Sequence, residues 1–131
     1  MESGDSIKPF IFVMSEKPMI KINFSGHPVE GYPIAPFVGA NLPTSGRELA
    51  ETVRETILAL PGREELLKGA PAEIILPGLS HAAAVTLAEW HGEYGNWPNI
   101  RWAVRGEKGF EWPETAAADL NLVRESARTA R

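Results

Sequence analysis

The sequence predicts a single α/β domain, a mostly parallel sheet flanked by helices, and three observations carry that prediction. Short apolar runs alternate with segments of helical period, the pattern of successive β–α–β units. Ile74-Ile75-Leu76 is continuously apolar and bounded by Pro77-Gly78, as in a strand buried on both faces. The 131 residues, 44% of them hydrophobic, suffice for one core. Residues 19–131 form that domain. Residues 1–18 read as a loosely held N-terminal extension: polar, then a brief apolar patch, then Ser15-Glu16-Lys17-Pro18.

Met19 to Phe24 alternates and is rich in Ile, which marks the first strand, and Ser25-Gly26-His27-Pro28 turns away from it. Between Val29 and Pro43, the breakers Gly31, Pro33, Pro36, Gly39 and Pro43 forbid a helix. Extended chain, with a short strand around Phe37 and Val38, therefore replaces the expected crossover helix. Ser45-Gly46-Arg47-Glu48 is a capping box that opens a helix to Leu60. Leu49, Val53, Ile57 and Leu60 form its buried stripe, while Glu51, Arg54 and Glu55 face water. Pro61-Gly62 ends it, and Arg63 to Lys68 adds a short turn.

The central unit runs from Ala72 to Gly95. Glu73 to Leu76 is its strand, Ser80 stands at the N-cap, and the helix carries apolar Ala84, Leu87, Ala88 and Trp90 before Gly92 or Gly95 stops it. Asn99 to Arg105 alternates as a strand near an edge, with Ile100, Trp102 and Val104 on one face. Gly106 to Trp112 is a loop or hairpin. Pro113 opens a last helix from Glu114 to about Arg128, with Leu120 and Val123 as its weak apolar side and a frayed end.

Composition removes several functions. A net charge of −4 opposes binding of long nucleic acid, which needs a strong positive field, but leaves room for a small phosphate ligand. The absence of cysteine removes disulfides, thiolate catalysis and Cys-based zinc sites. His27, His81 and His91 have no carboxylate at metal spacing, so neither a metal nor a cofactor is expected. No segment approaches the roughly 20 apolar residues of a membrane span, and Pro9 to Met14 is too short for a signal core, so the expected location is the cytoplasm.

Parallel strands put their C-terminal ends on one edge of the sheet, and ligands bind there where strand order reverses. Three turns are expected to meet at that edge: Asn23 to His27, Pro77 to His81, and Arg105-Gly106, with Ser45 beside them. Free amides at a helix start, hydroxyls, imidazoles and a guanidinium are the composition of a phosphate site. The candidate ligand-binding residues are Asn23, Ser25, Gly26, His27, Ser45, Pro77, Gly78, Leu79, Ser80 and His81. Each has a plainer reading as a turn or cap residue.

Gly78-Leu79-Ser80-His81-Ala82 resembles a nucleophile elbow, but the only later histidine, His91, is on the same helix ~16 Å along its axis, so no triad forms. Trp90, Trp97, Trp102 and Trp112 offer faces for adenine stacking, although Trp90 and Trp102 read first as packing residues.

Ile22-Asn23-Phe24-Ser25-Gly26-His27-Pro28 resembles the N-F-S-x-H-P start of a family of small CRISPR-associated proteins of type III systems. Leu76-Pro77-Gly78-Leu79-Ser80, with His91-Gly92-Glu93-Tyr94-Gly95 and Pro98, resembles that family's P-G-L-S/A loop and H-G-x-x-G-x-x-P helix end. The likeness covers about Met19 to Arg105. It implies a Rossmann-like, CARF-related fold, a homodimer, and cyclic oligoadenylate as ligand, foremost the four-membered ring.

Relatives either cleave that ring without metal or bind it and lower its free concentration. Two departures favour sequestration: the helix after the first strand is missing, and neither short motif holds Lys or Arg to stabilise a charged transition state. For ring cleavage His27 and Arg105 are the candidate catalytic residues. A non-catalytic module that binds a protein partner is the third reading.

Overall fold

The computed structural model of the chain describes residues 18–34, 36 and 42–131. Strands β1 (Ile20–Asn23), β2 (Ala72–Ile75) and β3 (Asn99–Arg101) are parallel neighbours, and β6 (Ala117–Asp119) pairs antiparallel with β3. The fold is mixed α/β, with this four-stranded, mostly parallel sheet in the order β1-β2-β3-β6. Among the described residues it has four helices: α1 (Gly46–Leu58), α2 (Arg63–Leu67), α3 (Ser80–Tyr94) and α4 (Leu120–Ala130). A separate hairpin, β4 (Val104–Gly106) and β5 (Gly109–Glu111), is inserted after β3.

Both parallel connections step the same way across the sheet, so right-handed crossovers put α1 to α3 on one face. The core lies between that face and the helices. Register sets Ile20, Ile22 and Phe24 beside Ala72, Ile74 and Leu76, with Ile100 next, and this apolar row meets Leu49, Val53 and Ile57 of α1 and Trp90 of α3. Fully burying each large side chain contributes roughly 1.5–3 kcal/mol. The intervening residues Lys21, Glu73, Asn99 and Arg101 point to the opposite face by the two-residue period of a strand.

Half of the capping box forms: Ser45 Oγ accepts from Glu48 N at 3.1 Å, while the Glu48 carboxylate accepts from the Ser45 hydroxyl at 3.1 Å in place of the Ser45 N–H. Leu49, Val53, Ile57 and Leu60 are buried. Gly95 ends α3 in the left-handed region, φ 75°, with its N–H on His91 O at 2.8 Å.

Other expectations need correction. The buried line of α3 is Ala82, Thr86 and Trp90, whereas Ala84 and Ala88 are exposed. Thr86 is tolerated there because its hydroxyl donates to Ala82 O at 2.7 Å. β3 stops at Arg101, and Trp102 is 42% exposed rather than packed on a strand face. The last helix begins at Leu120, since Ala117 and Ala118 pair with Arg101 and Ile100 instead of continuing from Pro113. Sheet pairing overrides alanine's helix propensity here. Asp119 caps α4 through Asn121 N at 2.9 Å, and the helix continues to Ala130.

The order of the described strands does not reverse, so the edge site expected at a reversal has to arise in another way. The N-terminal extension up to residue 17 and the short strand around Phe37 and Val38 lie outside the described residues. No helix among the described residues is long and apolar enough to cross a membrane.

Candidate functional site

The loop leaving β1 is built by one side chain. Asn23, 1% exposed, donates from Nδ2 to His27 O at 2.6 Å. Its Oδ1 accepts from Ser25 N at 2.8 Å and from Ser25 Oγ at 2.6 Å. Ser25 Oγ in turn accepts from His27 N at 3.2 Å. Gly26, with φ 83°, sits at the apex, where a side chain would be strained. The N-F-S-G-H stretch is thus a closed loop, with the amide inside and the His27 side chain exposed.

That loop borders a cavity of about 540 Å³ at the point where the parallel strands end. Ser25, His27, Pro28 and Val29 line it from the β1 exit, and Ile75, Leu76 and Pro77 from the β2 exit. Ile100 to Ala103 line it from the β3 exit, and Phe110 and Trp112 come from the hairpin and its return. The lining is mainly apolar and aromatic, and among the described residues it includes no carboxylate. Its volume falls within the usual range for small-molecule sites.

Arg101 is the cavity's guanidinium. Its Nη1 stands 3.7 Å from Glu73 Oε1, and its Nη2 donates to Trp112 O, tying β3 to the chain that returns from the hairpin. Its Nε is buried with no hydrogen-bond partner among the described residues. Glu73 also accepts from Tyr32 Oη at 2.5 Å, and Lys21 Nζ lies 5.7 Å from the centre of the Tyr32 ring. Burial, then the Glu73 hydrogen bond and charge, push the Tyr32 phenol up to about 12. This network fixes Arg101 from below, so the cation is held in place before any ligand arrives.

The predicted residues divide into groups. Ser25, His27 and Pro77 reach the cavity, while Asn23 and Gly26 shape the loop from behind it. Gly78, Leu79, Ser80 and His81 are exposed just beyond Pro77 and do not line the cavity. Ser80 is not the N-cap: Leu79 holds that position, with φ −92° and ψ 132°, and no side chain caps the helix. The hydroxyl therefore lies one residue too late to bond the first-turn amides in the usual way.

Ser45 is occupied as the cap of α1, outside the cavity. Arg105 sits in the hairpin, exposed, 5.4 Å from the centre of the Phe110 ring, and the third turn is supplied by Arg101 to Ala103 instead.

Sequence reading missed Arg101, Phe110 and the Pro28-Val29 wall. Trp102 and Trp112 carried a signal as aromatic residues flanking a turn-rich stretch; Arg101 carried none beyond its polarity. No three His, Asp or Glu side chains come together at metal-binding distance among the described residues. No protein-family model, no curated protein and no solved structure matches this chain.

Proposed function

We propose that this chain binds cyclic oligoadenylate, foremost the four-membered ring, and dampens type III CRISPR signalling by lowering the free concentration of that messenger. The observation that carries the reading is the meeting of three strand-end turns on one cavity. Its walls are aromatic and aliphatic, Arg101 is fixed in it, and among the described residues no carboxylate lines it. Apolar walls suit a purine, and the guanidinium suits a phosphodiester. Pro77 leads from the cavity to the uncapped start of α3, whose first-turn amides favour a second phosphate.

A cavity of about 540 Å³ takes part of a ring, not a whole tetranucleotide. Two copies of a Rossmann-like domain related by a two-fold axis would present two such cavities to one ring. Sequestration is favoured over cleavage because Arg105, one of the two candidates for ring cleavage, lies on the hairpin away from the cavity lining.

The test is thermal unfolding of the full chain with cyclic tri-, tetra- and hexa-adenylate. At a ligand concentration of 100 Kd, binding stabilises by about 2.7 kcal/mol, an unmistakable rise in Tm. His27→Ala and Arg101→Ala should each reduce it. Absence of a shift with every ring overturns the reading. Conversion of the ring, in EDTA, to linear products ending in a 2′,3′-cyclic phosphate would replace sequestration by ring cleavage.

A further inference from the structure

We propose that the β4–β5 hairpin is a clamp that closes a planar purine base between Phe110 and the indoles of Trp102 and Trp112; this rests on the nucleotide-binding reading above. Phe110 is 69% exposed yet borders the cavity, so one edge of the ring already faces the site while most of its surface lacks a partner. Trp102, at 42% exposure, is likewise uncovered on the cavity's rim. Three aromatic side chains around one cavity, two of them substantially wet, are an unfilled stacking site.

The hairpin is built to move as a unit. Among the described residues its two strands pair only with each other, Val104 with Glu111, Arg105 with Phe110 and Gly106 with Gly109, outside the four-stranded sheet. A lone two-stranded ribbon is marginally stable by itself. Its base is held: Trp102 N donates to Ala116 O at 3.1 Å, and Arg101 donates to Trp112 O. The strand carrying Phe110 is exposed throughout. Fixed feet and an unburied tip allow pivoting near Ala103 and Pro113. Arg105 lies opposite Phe110 on the same face of the ribbon, and its guanidinium, 5.4 Å from the ring centre, orients the ring.

The experiment titrates the full chain with cyclic tetra-adenylate, comparing wild type with Phe110→Ala and Phe110→Tyr. Because Phe110 is largely exposed, both variants should unfold at the wild-type temperature. Loss of one base–aromatic stack predicts about 5- to 150-fold weaker affinity for F110A, chiefly through faster dissociation, and retention within about twofold for F110Y. Hydrogen exchange of the Val104–Glu111 amides should slow on binding in wild type. Unchanged affinity in F110A, equal weakening in both variants, or unchanged hairpin exchange overturns the clamp while leaving nucleotide binding intact. Absence of binding by wild type overturns both proposals.

Discussion

Asn23 is the position at which one substitution most sharply tests how this site is held. Asn23→Ala removes three hydrogen bonds, to His27 O, Ser25 N and Ser25 Oγ. At about 1 kcal/mol net each, the gross loss is about 3 kcal/mol. His27 is exposed and Ser25 half-buried, so water takes over part of that bonding, and the expected cost settles near ~2 kcal/mol. For a domain of this size that lowers Tm by about 6–10 °C.

Asn23→Asp separates hydrogen bonding from volume. It keeps both accepted bonds but sets a carboxylate oxygen against His27 O, where a donor lay 2.6 Å away. The folded state then prefers the protonated acid, which donates again, so the carboxyl pKa is higher folded than unfolded. The deficit of this variant is full at neutral pH and shrinks as pH falls through the folded-state pKa. Urea unfolding of both variants at pH 7 and pH 4.5 is the assay. An alanine variant within ~0.5 kcal/mol of wild type, or an aspartate variant whose deficit grows on acidification, would refute the claim that this amide builds the loop.

Three further outcomes follow from the same structure. The chain has two tyrosines, Tyr32 and Tyr94, and both phenols are pushed up to about 12, first by burial and then by Glu73 and Glu93 respectively. Absorbance near 295 nm should therefore show little phenolate at pH 10.5. Stability should fall between the unfolded value of 10 and about 12, because only the unfolded chain ionises there; half the amplitude titrating at 10 would contradict this. Ser45→Ala should cost about 1 kcal/mol in chemical denaturation, since it removes the bond to Glu48 N, and no change would deny the cap its role. Trp90→Ala, which removes the largest fully buried side chain among the described residues, against Phe24 and Tyr94, should cost about 3–5 kcal/mol, and a loss below 1 kcal/mol would place the core elsewhere.

The elements legible in the sequence were those whose signal is local. The β1 pattern, the Ser45–Glu48 box, the stripe of α1 and the Gly95 stop each depend on residues within a turn or two of each other. Long-range pairing decided the rest. Ala117 and Ala118 have every helical preference, yet they pair antiparallel with Arg101 and Ile100 of β3. Thr86 looks like a surface residue until its hydroxyl is seen bonded to Ala82 O, which leaves its methyl to the core.

The site was half legible for the same reason. Turns after β1 and β2 were recognisable in the sequence, and they do share a cavity. The third wall depended on where β3 ends, and alternation through Trp102 and Val104 concealed that end. Arg101 could not be singled out from Arg105 by sequence, because their difference lies in Glu73 and Trp112, residues 28 positions before and 11 after Arg101.

The cavity owes its place to two departures from a regular β–α–β plan. After β1 the chain runs through a loop shaped by Asn23, and Tyr32 from its continuation covers part of the sheet's polar face. After β3 it enters a hairpin in place of a crossover helix. With α1 to α3 together on one face, the strand ends are roofed by what these two irregular segments supply: Pro28 and Val29 from one, Phe110 and Trp112 from the other. A regular crossover would have filled that space with aliphatic packing. Arg101 holds the two halves together, since it touches Glu73 in the sheet and Trp112 on the return from the hairpin. On the proposed reading, the cation that would meet a phosphate therefore also fastens the base of the hairpin that carries the aromatic wall.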